Sequence, residues 1–121
     1  MNFKLAQLVL LGLIILSCNS DLKFDTGKWK NSGGENITLD TRLNMTKDLI
    51  ESQILINKSE KEISKLLGSP VRIHGNALEN TKLFPVQEVY GWGIDPEKII
   101  YIKIEFNKKG KVNTAELFIT K

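Results

Sequence analysis

Apolar side chains in the middle of the chain recur at intervals of three and four positions, which places them along one side of a helix. The pattern predicts a first helix at about Leu43–Leu55, with Asp40 or Thr41 as its N-cap. It predicts a second, shorter helix at about Glu60–Leu67. Two amphipathic helices are therefore expected before the last third of the chain.

The residues that flank the second helix have well-defined roles at helix ends. Ser59 stands at the N-cap and Glu62 follows three residues later, the pattern of a capping box. Gly68 comes just after the last helical residue, a position that is often left-handed, and Pro70 prevents continuation. This helix is the most sharply bounded element that the sequence predicts.

The last third of the chain alternates between apolar and polar residues, as half-buried strands do. Strands are predicted at about Val86–Trp92, Ile99–Phe106 and Val112–Ile119, and Asn107–Gly110 has the composition of a hairpin turn. The apolar side of the middle strand is a continuous series: Ile100, Ile102, Ile104 and Phe106.

The last strand changes parity, since Val112 is even whereas Ala115 and Leu117 are odd. A β-bulge near Asn113–Thr114 would return these side chains to one face. Only the helices can cover the isoleucine face of the middle strand. The predicted fold is therefore α+β, with two N-terminal helices packed on a three-stranded antiparallel meander in the order ααβββ.

The start of the chain combines a positive charge, an apolar run and a lone cysteine. Lys4 is followed by about 12 mostly apolar residues, Leu5–Leu16, and Ser17 precedes Cys18, the only cysteine. The apolar run is shorter than the roughly 20 residues of a membrane-spanning helix. The segment Ile15-Leu16-Ser17-Cys18 resembles the lipobox, which implies removal of residues 1–17 and acylation of Cys18, with palmitate among the attached chains. A plain signal peptide that leaves a free thiol is the alternative.

Removal of residues 1–17 leaves 104 of the 121 residues and lowers the formal charge from +3 to +2. So mild a charge gives no reason to expect nucleic acid as a partner. Residues 18–40 are rich in small and polar side chains and predict a tether, and 41–121 predict one small domain. For Trp29, within the tether, two interpretations stay open: it packs on the domain, or it enters the membrane interface.

The sequence offers no constellation of residues that is typical of catalysis. His74 is the only histidine, and no G-x-S-x-G motif accompanies it. One histidine and one lipidated Cys18 cannot supply a tetrahedral metal site. We therefore predict no catalytic residue, no metal and no cofactor, and a protein that is not an enzyme.

The aromatic side chains Tyr90, Trp92 and Tyr101 are the remaining candidates for a functional surface. Tyr90 and Trp92 share parity on one predicted strand, and Tyr101 lies on the next. Exposed tyrosine and tryptophan are frequent anchors of protein interfaces. Two interpretations stay open: the three side chains bind a partner, or they cap the small core from its open side.

Two patterns resemble a known group of envelope proteins. Ser59–Pro70 matches the capped helix S-x-x-E-[I/V]-x-x-L-L-G-x-P, and Ile104–Val112 matches the hairpin I-x-F-x-x-x-G-K-V after the Tyr90 strand. With the lipobox, this order resembles the SmpA/OmlA-like group over residues 41–119. That group includes the smallest lipoprotein of the outer-membrane β-barrel assembly machinery and the repeats of β-lactamase inhibitor protein.

The resemblance implies a non-enzymatic lipoprotein, anchored to the membrane through lipid on Cys18, that presents a protein-interaction module in the cell envelope. Asn19 is not the aspartate that retains enterobacterial lipoproteins at the inner membrane, which favours the outer membrane. An accessory role in outer-membrane assembly or maintenance is one expectation. An inhibitor or ligand-binding lipoprotein that uses the aromatic sheet face is the alternative. The loop at residues 71–84 carries no motif of the assembly component, and the partner stays open.

Overall fold

A computed structural model of the chain describes residues 22–72 and 80–120. The predicted signal at 1–17, Cys18, the start of the tether and His74 lie outside these residues. In chain order the elements are α1 (Thr26–Asn31), a 3-10 helix (Gly34–Asn36), α2 (Thr41–Glu51), α3 (Glu60–Leu67), β1 (Thr81–Tyr90), β2 (Pro96–Phe106) and β3 (Val112–Thr120). The strands form an antiparallel sheet in the order β1-β2-β3, so the fold is α+β with a meander, as the sequence predicts.

The core lies between the helices and one face of the sheet. Ile102 and Ile104 are fully buried, and Ile100 and Phe106 are nearly so. They belong to one cluster with apolar residues of the helices: Met45, Leu49, Ile63 and Leu67. The predicted orientation of the middle strand is confirmed. Within the described part of the chain, no helix has the length and hydropathy to cross a membrane.

Strand β1 begins and ends earlier than the predicted strand at Val86–Trp92. Pro85 looks like a strand breaker in the sequence, but β1 is an edge strand, where a missing N–H is tolerated. Next to it, Val86 is an extra residue that has no partner in the ladder. The strand ends at Tyr90, so Trp92 lies in the connection to β2 rather than in the sheet.

The parity change in β3 has the predicted cause. Glu105 pairs with Thr114, whereas the next residue, Phe106, pairs with Val112. Asn113 is therefore the extra residue of a β-bulge. The bulge lets Val112 and Ala115 contribute to the same core although their parity differs.

Helix α3 has the boundaries and the capping box that the sequence predicts. The Ser59 hydroxyl accepts a hydrogen bond from the Glu62 backbone N–H at 3.2 Å, and Glu62 Oε1 accepts one from the Ser59 backbone N–H at 3.2 Å. Gly68 ends the helix with a φ of 84°, a left-handed value that glycine adopts without strain.

Helix α2 ends at Glu51, four residues before the predicted end. Gln53 takes a φ of 58° and so stops the helix, and turns continue towards Asn57. Leu55 is nevertheless buried, because the turn folds it back onto the core. At the other end, Asp40 is the N-cap residue, but its side chain makes no cap bond and instead accepts a 2.6 Å hydrogen bond from Gln87 Nε2.

Residues 22–40 differ from the predicted tether, because they contain α1, the 3-10 helix and a fully buried Trp29. Asp25 caps α1 by accepting a hydrogen bond from the Lys28 backbone N–H at 2.9 Å. The Thr26 hydroxyl fastens α1 to α3 by donating to the Leu66 carbonyl at 2.7 Å. Trp29 belongs to the core cluster and Phe24 packs against it, so these two aromatic side chains attach the segment to the domain. Three α-helices therefore precede the sheet rather than two.

Candidate functional site

The connection between β1 and β2 carries the most exposed apolar side chains of the described protein. Trp92 is 102% exposed and Ile94 is 96% exposed. They lie between Gly91 and Asp95, at the tip of the β1–β2 hairpin. We call Trp92 and Ile94 the hairpin tip. The core cluster does not include these two side chains, so folding does not depend on their burial.

Tyr90 and Tyr101 lie around the carboxylate of Glu88. The Tyr90 hydroxyl donates a 2.7 Å hydrogen bond to Glu88 Oε2. This bond, together with the nearby negative charge, raises the pKa of Tyr90. Burial, and then the charge of Glu88, raises the pKa of Tyr101. Both phenols therefore stay protonated at neutral pH, and the Tyr90 O–H is engaged by Glu88.

Tyr101 faces away from the helices, because its neighbours Ile100 and Ile102 face the core. It pairs with Pro85 on one side and Phe118 on the other. We call Pro85, Tyr101 and Phe118 the outer row. Phe118 is 39% exposed, so the row is open to solvent at the β3 edge.

A positive charge stands beside the outer row. Lys103 Nζ lies 5.7 Å from the centroid of the Phe118 ring. It also forms ion pairs with Glu105 at 3.5 Å and Glu116 at 3.6 Å. These ion pairs are partly exposed to solvent, so they stabilise the fold little. They place charged groups beside the aromatic side chains on the outer face of the sheet.

The structure therefore brings together only two of the three predicted aromatic residues. Tyr90 and Tyr101 share the surroundings of Glu88, whereas Trp92 projects from the hairpin tip. The interpretation that these residues cap the core is wrong for Trp92, because its side chain is fully exposed. The physical reason is the early end of β1, which places Trp92 in a turn.

A second candidate site surrounds Arg42, a residue of α2 that is only 6% exposed. Arg42 Nε donates a 2.8 Å hydrogen bond to the Trp29 carbonyl, and Nη1 donates a 2.7 Å hydrogen bond to the Pro85 carbonyl. The guanidinium carbon lies 5.1 Å from the centroid of the Trp29 ring. Burial lowers the pKa of Arg42, but an arginine keeps its charge at physiological pH.

Arg42 lines an open pocket of about 470 Å³ where α1, α2, the end of α3 and β1 meet. The other lining residues are small, apolar or basic: Lys30, Gly33, Gly34, Leu67, Gly68, Ser69 and Pro85. None of them is acidic. We call this the Arg42 pocket.

The Arg42 pocket was not predicted from the sequence, although the sequence contains one signal for it. Arg42 lies three residues before Met45 and seven before Leu49, so it shares the buried stripe of α2. A charged residue in such a stripe is rarely buried without a partner. The pocket itself had no signal, because its walls come from four separate elements.

Among the described residues, no three His, Cys, Asp or Glu side chains are placed to hold a metal ion. No protein family, curated protein or solved structure matches the chain. The similarity to the SmpA/OmlA-like group therefore stays a prediction, and the geometry of the hairpin tip and the Arg42 pocket is the basis for any functional inference.

Proposed function

We propose that this protein is a non-enzymatic, lipid-anchored protein of the cell envelope that presents a small module for binding another envelope protein. The hairpin tip is the partner-binding surface in this proposal. The observation that carries it is the full exposure of Trp92 and Ile94 on a domain whose core is complete without them. Large aromatic and aliphatic side chains at a protruding tip are typical anchors of protein interfaces.

The charges near the hairpin tip favour a protein over a lipid bilayer as the partner. Asp95 and Glu97 follow the tip directly, and Glu88 lies two residues before Tyr90. Negative side chains are repelled by the anionic lipids of a membrane surface. A protein pocket can instead bury the indole of Trp92 and leave the surrounding acids at a solvated rim.

The proposed anchor on Cys18 would hold the domain near the membrane. The Leu22 backbone N–H donates a 2.9 Å hydrogen bond to the Asn44 carbonyl, so the described fold begins only four residues after Cys18. Four extended residues span at most about 14 Å. A lipidated chain would therefore reach partners that lie within or close to the membrane, and the resemblance to outer-membrane assembly lipoproteins agrees with that class of partner.

The Trp92→Ala variant tests the proposed surface in intact envelopes. Truncation of an interface anchor costs about 2 kcal/mol or more of affinity, a change of roughly thirtyfold. We expect crosslinking to envelope partners to be lost and thermal unfolding to stay unchanged. Leu39→Ala is the matched control, because Leu39 is 53% exposed but lies between the 3-10 helix and α2. Full recovery of partners by Trp92→Ala, or loss of its fold, contradicts the proposal.

The Cys18→Ala variant tests the anchor separately. We expect an unprocessed or soluble product without incorporated palmitate. Palmitate incorporation that persists in this variant would rule out Cys18 as the lipidation site, whatever the hairpin tip binds.

The outer row favours a second candidate function, an inhibitor or ligand-binding lipoprotein. Pro85, Tyr101 and Phe118 form a continuous line across the sheet on the face away from the helices. Co-purification from detergent-solubilised envelopes separates the two functions. A membrane-embedded or assembly protein among the products supports the first, and a soluble hydrolase or a small molecule supports the second.

A further inference from the structure

The guanidinium of Arg42 has more donors than the described structure uses. An arginine side chain carries five N–H donors, and Arg42 gives one to each of two backbone carbonyls. No carboxylate in the described part of the chain forms an ion pair with it. A buried cation without a counter-charge is costly, so a ligand that supplies negative charge and acceptor oxygens would stabilise this site.

The walls of the Arg42 pocket add positive charge and no negative charge. Lys30 lies on α1 at the pocket, its side chain is exposed, and no described residue pairs with its ammonium group. Ser69 adds a hydroxyl to the lining of the pocket. Two cations with no acid among the lining residues match a ligand of charge −2 better than a carboxylate of charge −1.

Gly33 brings the chain close to the free end of the guanidinium. A Cβ atom at this position would lie 2.5 Å from Arg42 Nη2 and 3.3 Å from its Cζ. Gly33 has a φ of −92° and a ψ of −171°, an extended conformation that any residue adopts. The backbone conformation at position 33 does not require glycine. The absence of a side chain there instead leaves room for the Arg42 guanidinium.

We propose that the Arg42 pocket binds a phosphate monoester group, with the Arg42 fork on two phosphate oxygens and Lys30 on a third. The planar guanidinium matches the spacing of phosphate oxygens, and such paired, charge-assisted hydrogen bonds are strong. The pocket volume of about 470 Å³ leaves room for the group that carries the phosphate. This proposal does not rest on the hairpin tip or on its partner.

The phosphate has two sources for a protein near a membrane: a soluble phosphorylated metabolite or a lipid headgroup. The test therefore uses the purified full chain in neutral detergent and two probes. Glycerol 3-phosphate is added in solution and followed by calorimetry. Phosphatidic acid is doped into the micelles and followed by the melting temperature, with phosphatidylcholine as the zwitterionic reference.

Three pocket variants and one control variant separate binding in the pocket from a general effect of positive charge. Lys30→Ala removes a pocket cation, and Lys28→Ala is the matched control on the same helix, since Lys28 is exposed and outside the pocket. Gly33→Ala displaces the guanidinium with no strain in the backbone. Arg42→Lys keeps the positive charge and removes the planar guanidinium, but it also removes a buried hydrogen bond. If this variant unfolds, the Lys30 and Gly33 variants still test the proposal.

We expect at least one probe to bind. Lys30→Ala and Gly33→Ala should each weaken that binding about tenfold or more, because the loss of one hydrogen bond to a charged group lowers affinity by about that factor. Lys28→Ala should change it less than twofold. Binding of glycerol 3-phosphate identifies a soluble ligand, and a response to phosphatidic acid alone identifies a lipid. No response to either probe, or equal losses from Lys30→Ala and Lys28→Ala, overturns the proposal.

Discussion

Removal of the Trp29 indole tests whether residues 22–40 belong to the folded domain. Trp29 is fully buried, and its ring centroid lies 5.9 Å from that of Phe24. Truncation of a buried tryptophan to alanine costs about 3–5 kcal/mol. Trp29 Nε1 has no hydrogen-bond partner in the described structure, and a buried unsatisfied donor costs about 1–3 kcal/mol. Because truncation removes that cost, the expected loss for Trp29→Ala lies near the difference between the two midpoints, about 2 kcal/mol.

A loss of about 2 kcal/mol is a large share of the roughly 5–15 kcal/mol that stabilises a typical domain. In a domain of this size it corresponds to a fall of about 8–16 °C in melting temperature. Thermal and urea unfolding, followed by far-UV circular dichroism, measure it. Trp29→Phe should lose less, since it keeps an aromatic ring and removes the unsatisfied donor.

The other tryptophan of the chain supplies the matched control. Trp92 is fully exposed, so Trp92→Ala should change stability by less than about 0.5 kcal/mol. It also leaves Trp29 as the only tryptophan, and its emission should be that of a buried indole. A stability change below about 0.5 kcal/mol for Trp29→Ala, or solvent-exposed emission from Trp29, would show that the segment is a tether after all.

The other predictions concern the core and the capping box. Ile102→Ala should cost about 2–5 kcal/mol in urea unfolding, because the side chain is fully buried, and a loss below about 1 kcal/mol contradicts the sheet orientation. Ser59→Ala should cost about 0.5–2 kcal/mol, and an unchanged midpoint with an unchanged slope contradicts the cap. The hydrogen bond from the Ser59 N–H holds the pKa of Glu62 below its usual 4.5. The resulting stabilisation is present above pH 4.5 and is lost as pH falls through the lower, folded-state pKa. The melting-temperature gap between wild type and Glu62→Gln should therefore narrow from pH 7 to pH 3, and a constant gap refutes this account.

Features whose rules are local were predicted correctly from the sequence, among them both ends of α3. The capping box of Ser59 and Glu62 involves residues within one helical turn, and Gly68 ends the helix through its own backbone freedom. The burial of Ile102 follows from a period of two, and the bulge at Asn113 follows from a break in that period. Each of these signals is complete within about ten residues, so no knowledge of the rest of the fold is needed to interpret it.

Features that depend on distant residues could not be decided from the sequence. Pro85 is tolerated because β1 lies at the sheet edge, which only the topology shows. Trp29 is buried because α1 packs on the other helices, although the composition around it indicates a tether. The Asp40 side chain bonds to Gln87, 47 residues away, instead of capping its own helix.

The candidate sites divide in the same way. The sequence by itself selected Tyr90, Trp92 and Tyr101 as large amphipathic side chains, because chemistry belongs to the residue. Only the tertiary structure decided that Trp92 projects from a turn while the two tyrosines share Glu88. The Arg42 pocket is wholly a tertiary feature, since Lys30, Gly33 and Pro85 come from separate elements of the chain. Local backbone preferences fix helices, turns and strand periods, whereas a binding site needs distant segments to meet, and packing of the core alone decides which ones do.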